Sequence, residues 1–146
     1  MRGMIIFYRN GTNQIINTDQ GEESAMIHFE QGDEFIGMSC LYTTNDNKKP
    51  RQMGLTILRS NGTIYETPLY GNCIGFYSQI WPKIDTFHGR QDVENMRIKK
   101  LHWSRWGSGD NDLSGIKLTN NQDQESPILG QTRYEWRDIT LRDEPI

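Results

Sequence analysis

An all-β fold is predicted for this chain by three observations: its apolar residues alternate with a period of two, the alternating segments are short and bounded by Gly, Asn, Asp and Pro, and no window sustains a helical stripe. Met26-Ile27-His28-Phe29, Phe35 through Tyr42, Leu55-Thr56-Ile57-Leu58 and Gly115-Ile116-Lys117-Leu118 read as strands, rich in β-branched and aromatic side chains that suit a pleated surface. Gly or Pro interrupts most stretches that could carry apolar residues at i, i+3, i+4 and i+7, so long helices are not expected.

A weak internal repeat extends the prediction. Ile5 to Thr12 resembles Leu55 to Thr63: each is an apolar strand, then an Arg, then an Asn-Gly-Thr turn and a second strand, Gln14 to Asn17 in one copy and Ile64 to Thr67 in the other. Two hairpins of one kind follow, since Asn-Gly supplies the positive φ values of a tight turn. A third unit starts near Leu101-His102-Trp103 and runs into the turn-rich stretch from Trp106 to Asp112. Repeats spaced by roughly fifty residues suggest three similar antiparallel sheets about a pseudo-threefold axis.

Bulk properties bound the rest. The 146 residues suit one domain spanning 1–146 and one core. The longest apolar runs, Met4 to Tyr8 and Phe35 to Met38, fall far short of the roughly 20 residues that cross a bilayer. The chain therefore reads as soluble, without a membrane span or a visible targeting segment, and its localisation is left open. Sixteen basic against nineteen acidic residues give a formal charge of −3, the wrong sign for a non-specific phosphate binder, so no nucleic-acid partner is expected. Lys48-Lys49-Pro50-Arg51 and Lys99-Lys100 read as solvated faces. Cys40 and Cys73 fit either one disulfide or two buried thiols, and neither has the neighbours of a zinc site. Asn10-Gly11-Thr12 and Asn61-Gly62-Thr63 match the glycosylation acceptor pattern, but turn formation is the simpler reason for them.

Residues 19–103 then resemble one family in order. Asp19-Gln20-Gly21, the alternating segment Ala25 to Glu30, the turn Gly32-Asp33 and a strand ending at Leu41-Tyr42 are similar to the opening of jacalin-type lectins. Gly54 to Tyr65 with Pro68 and Gly71 is similar to a middle hairpin of that family. Lys83-Ile84-Asp85-Thr86-Phe87-His88-Gly89-Arg90, followed by Ile98 and Leu101-His102-Trp103, is similar to its closing segment, including that of the secretory-granule members found in animals. Asp110 to Leu118 resembles a repeat element of the vitelline outer-layer proteins. Both resemblances imply a β-prism of three antiparallel sheets. The chain departs from the first family between Thr43 and Met53, where a hairpin is missing, so residues 1–18 and 104–146 are expected to supply additional strands, by a rearranged order or by exchange with a second chain.

The resemblance also implies a saccharide site in the closing segment, where such lectins carry a Gly-x-x-x-Asp loop. The corresponding stretch here, read as a loop from Gly89 to Met96, lacks that motif and is one residue longer. Gly89, Arg90, Gln91, Asp92 and Asn95 are its candidate carbohydrate-binding residues: the carboxylate and amide accept hydrogen bonds from sugar hydroxyls and backbone N–H groups donate. A second candidate site comprises Trp106, Gly109, Asp110 and Asp112, short polar groups beside an aromatic platform. Asp110, Asp112, Ser114 and Gly115 share the first spacings of a calcium loop, but Asn121 stands where a bidentate Glu is required, so no metal is expected. No catalytic residue and no cofactor is assigned. His28, His88 and His102 are far apart in sequence, and the turn carboxylates Glu22, Glu23, Asp33 and Glu34 have no evident pairing. Trp81, Trp103, Trp106 and Trp136 are expected mostly to fill the core.

The functional expectation is a non-catalytic, lectin-like module that takes a saccharide or glycoconjugate and forms a homo-oligomer. Two alternatives from other classes are an assembly or protein-binding domain that has lost sugar binding, and the receptor-binding subunit of a toxin.

Overall fold

The computed structural model describes residues 3–17, 26–44, 50–61, 64–66, 76–82, 90–107 and 112–146. Among them the fold is all-β: ten strands lie in three sheets, every strand pair is antiparallel, and the helical content is one short α-helix.

The first sheet is the hairpin β1 (Met4–Phe7) and β2 (Asn13–Ile16). Its turn spans Tyr8 to Thr12 and uses the Asn-Gly pair, with Gly11 rather than both residues at positive φ. Asn10 Oδ1 accepts hydrogen bonds from the Thr12 N–H at 3.0 Å and the Thr12 hydroxyl at 2.6 Å, and Gly11 takes a φ of +89°, a conformation open to glycine without strain. One face of the hairpin buries Ile6 and Ile16. The other leaves Ile5, Phe7 and Ile15 exposed, with Ile5 directly opposite Ile15.

The second sheet contains β3 (Phe35–Thr44), β4 (Pro50–Arg59), β5 (Ile64–Glu66) and β6 (Phe76–Trp81), in the order β5-β4-β3-β6. The third contains β7 (Ile98–Arg105), β8 (Leu113–Asn120), β9 (Leu129–Gly130) and β10 (Arg137–Thr140), in the order β10-β7-β8-β9. These orders describe the same path. A central hairpin forms first, the third strand pairs with the second, and the fourth returns to lie beside the first, which is a Greek key made twice. The helix α1 (Arg90–Met96) leads directly into β7.

All three sheets contribute to one core. Ile6 and Ile16 come from the first, Phe35, Met38, Cys40, Leu55 and Ile57 from the second, and Leu101, Trp103, Ile116, Leu118 and Leu129 from the third. Cys40 is a free thiol, and burial pushes its pKa up to about 12, so it packs as a small apolar side chain. Cys73 lies outside the described residues. Glycine permits two close approaches. A Cβ on Gly37 would stand 2.2 Å from the Trp81 carbonyl oxygen, and one on Gly115 would stand 2.5 Å from the Gln131 carbonyl oxygen.

One buried ion pair joins β4 to the segment before β3. Asp33 and Arg59 have side chains only 1% and 2% exposed and meet at 3.2 Å. Asp33 Oδ1 also accepts from the Ser60 hydroxyl at 3.0 Å and the Asn61 N–H at 3.1 Å, while Arg59 donates to the His28 carbonyl.

Several expectations are corrected. Met26 to Phe29 is not a strand: the Phe29 carbonyl accepts from Arg9 at 2.5 Å and the His28 carbonyl from Arg59, so arginine side chains take the acceptors a ladder would use. The spatial repeat is the pair of Greek keys, whereas the sequence echo matches β1 and β2 to β4 and β5, hairpins at different places in their sheets. Trp103 is buried and Trp81 packs against the core, but Trp106 and Trp136 are only half-buried. Strands do form at both ends of the chain, in 4–16 and 113–140.

Replacing Gly115 by Ala is expected to cost roughly 1–3 kcal/mol, because the new methyl meets backbone that cannot rotate away. Urea unfolding of the variant checks this; an unshifted midpoint would mean that β8 and the Gln131 backbone are not held this close.

Candidate functional site

The closing segment does not form the expected loop. Arg90–Met96 is helical: Arg90, Gln91, Glu94 and Met96 favour the helix, and no Gly or Pro interrupts it. Its end is fixed by the turn after β8. The Arg97 N–H donates to the Val93 carbonyl at 3.0 Å, the Asn121 side-chain N–H₂ donates to the Glu94 carbonyl at 3.0 Å, and the Asn121 N–H donates to the Arg97 carbonyl at 2.9 Å. Asp92 and Asn95 are half-buried on this helix and both are engaged in interactions. Gly89 lies outside the described residues, as do the side chains of Arg90 and Gln91.

The chain leaving the helix nonetheless delivers Arg97 to a cleft. That cleft, of about 240 Å³, is floored by Tyr8, Phe35, Ile98, Leu141 and Ile146, and its walls carry Glu34, Arg97, Lys99, Asn121, Arg142, Asp143 and Glu144. Five separate stretches build it. Glu34 is placed by paired hydrogen bonds to the end of β4: its N–H donates to the Ser60 hydroxyl at 2.7 Å, and its carbonyl accepts from the Ser60 N–H at 2.9 Å. The segment from Leu141 onward is strapped across the other side. Leu141 N–H donates to the Lys99 carbonyl at 2.8 Å, Arg142 N–H to the Tyr8 hydroxyl at 3.1 Å, and Arg9 N–H to the Pro145 carbonyl at 2.7 Å. Tyr8 in turn donates to the Gln14 side chain.

Opposite charges face each other in this cleft. Arg97 pairs with Asp143, and Lys99 pairs with Asp123 beside it. The Arg142 guanidinium lies 5.7 Å from the centre of the Tyr8 ring. Burial pushes the Glu34 carboxyl above its ordinary range; Arg97 opposes the shift, while Asp143, Asp33 and Glu94 add to it. Burial likewise raises the Tyr8 hydroxyl, against the hydrogen bond and charge of Arg142. The cleft therefore offers hydrogen-bond donors and acceptors on its walls above an apolar floor.

The second predicted site is only partly described. Gly109 and Asp110 lie outside the described residues. Trp106 and Asp112 close the base of the β7–β8 turn through a hydrogen bond from the Trp106 N–H to the Asp112 carbonyl at 3.1 Å. The Trp106 ring carries the Arg133 guanidinium 5.0 Å from its centre. Of the histidines, His28 is exposed and His88 is not described. His102 stands on the outer face of the third sheet, 3.0 Å from the Thr119 hydroxyl and 4.0 Å from Asp138. Burial lowers its pKa, with Lys117 next in effect. Glu22 and Glu23 are outside the described residues, and Asp33 is committed to Arg59. Among the described residues, no group of three or more His, Cys, Asp or Glu could hold a metal ion, and no helix is long and apolar enough to cross a membrane.

Sequence reasoning named Glu34 only as a turn carboxylate and Asn121 only as a failed calcium position. Arg97, Arg142 and Asp143 were missed, since nothing local marks residues that converge from distant stretches. No protein-family model matches the chain, and no curated protein matches it in sequence.

The shift of Glu34 gives a signed expectation. A carboxyl whose native pKa lies above its unfolded value subtracts stability as pH rises past that unfolded value, and carries no penalty below it. The ordinary value is 4.5. Glu34→Gln should therefore raise the urea midpoint at about pH 7 and leave it nearly unchanged at about pH 3.5. A midpoint that falls at neutral pH would show that the Arg97 charge outweighs the burial of the carboxylate.

Proposed function

We propose that this chain is a non-catalytic carbohydrate-binding module of β-prism architecture, the kind its resemblance to jacalin-type lectins implies. Two Greek keys of one topology and a hairpin packed on a common core support the prism reading, since three sheets each covering one side of a core is that architecture's basis. The observation that carries the functional reading is the cleft beside the end of α1, where Glu34, Arg97, Asn121 and Asp143 surround an apolar floor. Within this reading the recognition residues move from the expected Gly89, Arg90, Gln91, Asp92 and Asn95 to the position just after the helix. Asp92 and Asn95 belong to the helix that positions Arg97.

The assembly alternative has one observation in its favour: the outward face of the β1–β2 hairpin exposes Ile5, Phe7 and Ile15 together. It predicts a stable oligomer without a glycan response.

A broad glycan array of the whole chain, followed by calorimetry on the best ligand, separates the two. The lectin reading expects binding competed by free sugar and weakened about tenfold or more by Arg97→Ala, the loss of a charge-assisted hydrogen bond. An array without signal, alongside a stable dimer in sedimentation that Phe7→Ser dissociates, would replace the lectin with the assembly role.

A further inference from the structure

At the far end of β7 from the cleft, the segment between β9 and β10 folds over the end of the third sheet. Ser104, fully buried on β7, holds it there. Its hydroxyl oxygen accepts the N–H groups of Arg133 at 3.2 Å and Tyr134 at 3.1 Å, and donates to the Tyr134 carbonyl at 3.1 Å. This fixes a run in which aromatic and cationic side chains stack in pairs. Arg133 lies 5.0 Å from the Trp106 ring centre, Arg105 5.8 Å from that of Tyr134, and Lys117 6.0 Å from that of Trp136. Tyr134 is 36% exposed, and the other two rings are half-buried.

We propose that this strip of Trp106, Tyr134 and Trp136 is a second binding surface, for a carboxylated polysaccharide. The proposal rests on the carbohydrate reading of the chain but concerns a different site. Aromatic rings take the apolar faces of sugar residues, and three rings brought to one end of the sheet offer a chain more contact than a single ring. Charge selects the acidic kind. A guanidinium stacked on a ring uses its face and leaves its edge N–H groups in plane, the geometry that receives a carboxylate by two parallel hydrogen bonds. Arg133 has its Nε donated to Gln131 at 2.9 Å, which orients the outer edge of the fork. Lys117 is balanced by Glu125 at 3.6 Å, and Glu135 and Asp138 flank Trp136 and Arg137 in sequence, so the selection falls to the exposed Arg133 rather than to a general positive field.

The test uses polygalacturonate as the acidic probe and its methyl ester as the neutral one, titrated into the whole chain. The acidic polymer should bind, the ester should bind at least tenfold more weakly, and Tyr134→Ala and Arg133→Ala should each reduce affinity for the acid about tenfold while leaving the folded spectrum unchanged. Both residues are exposed, so their loss should not unfold the domain. Equal binding of acid and ester, or unchanged affinity in both variants, overturns the proposal. If Arg97→Ala abolishes all glycan binding and the strip variants do not affect it, the strip fails while the carbohydrate reading stands.

Discussion

None of the three sheets can bury its apolar face alone, and that constraint governs the rest of the molecule. A two-stranded hairpin is marginal in water, so β1 and β2 persist only because Ile6 and Ile16 close a core otherwise built by the two Greek keys. The dependence is reciprocal. Without the hairpin, Leu141 and the apolar floor of the cleft would lose one wall. Side-chain bonds secure the junction: Gln14 donates to the Thr140 carbonyl at 3.0 Å, and Arg9 donates to the Ile146 carbonyl at 3.2 Å. The cleft is therefore a consequence of how the sheets meet, lined wherever polar side chains stand at the seam.

The buried Asp33–Arg59 pair gives that seam its accuracy. Taking two charges out of water costs several kcal/mol per ion, and attraction offsets this only when the remaining hydrogen-bonding capacity is used. Here Ser60, Asn61 and the His28 carbonyl use much of it, and Phe29 lies 5.9 Å from the guanidinium along its ring axis. Buried pairs of this kind are often no more stabilising than well-packed apolar side chains of similar volume. What the arrangement supplies is position: it locks the turn before β3 to the end of β4, and Glu34, the next residue, is held at the cleft with its backbone fully bonded.

How much of this was legible in the sequence follows the range of the forces involved. The alternation in 35–42, 55–58 and 115–118 reports which face of a strand is buried, and strands stand there. The hairpin turn at Asn10-Gly11 is local chemistry and stands where expected, although only Gly11 takes a positive φ. Met26 to Phe29 has the same alternation, but distant arginines bind its carbonyls, and no local pattern records that. The helix at 90–96 is too short for a helical stripe to show. The cleft was invisible because Glu34, Arg97, Asn121 and Asp143 converge from four stretches. The aromatic strip did leave a trace: Arg133-Tyr134-Glu135-Trp136-Arg137 interleaves rings and charges within five consecutive residues. Treating the tryptophans as core filling obscured it.

The two proposed surfaces stand at opposite ends of one rigid element. Ile98 and Lys99 open β7 at the cleft, and Arg105 closes it beside the strip, with seven residue steps of roughly 3.3 Å between Ile98 and Arg105, or about 23 Å along the strand. Shallow sites with this much water access bind single sugars weakly, because each hydroxyl exchanges one set of hydrogen bonds for another. Two such sites at fixed separation behave differently toward a polymer. Once one end is held, the other is presented at an effective concentration set by the intervening length, so a chain long enough to span β7 gains affinity that no fragment shows. A spacing enforced by a core strand does not adjust, and a glycan too short or too stiff to follow the sheet would gain nothing from the second site. Length selectivity would then arise from the rise of a single β-strand and the side chains at its two ends.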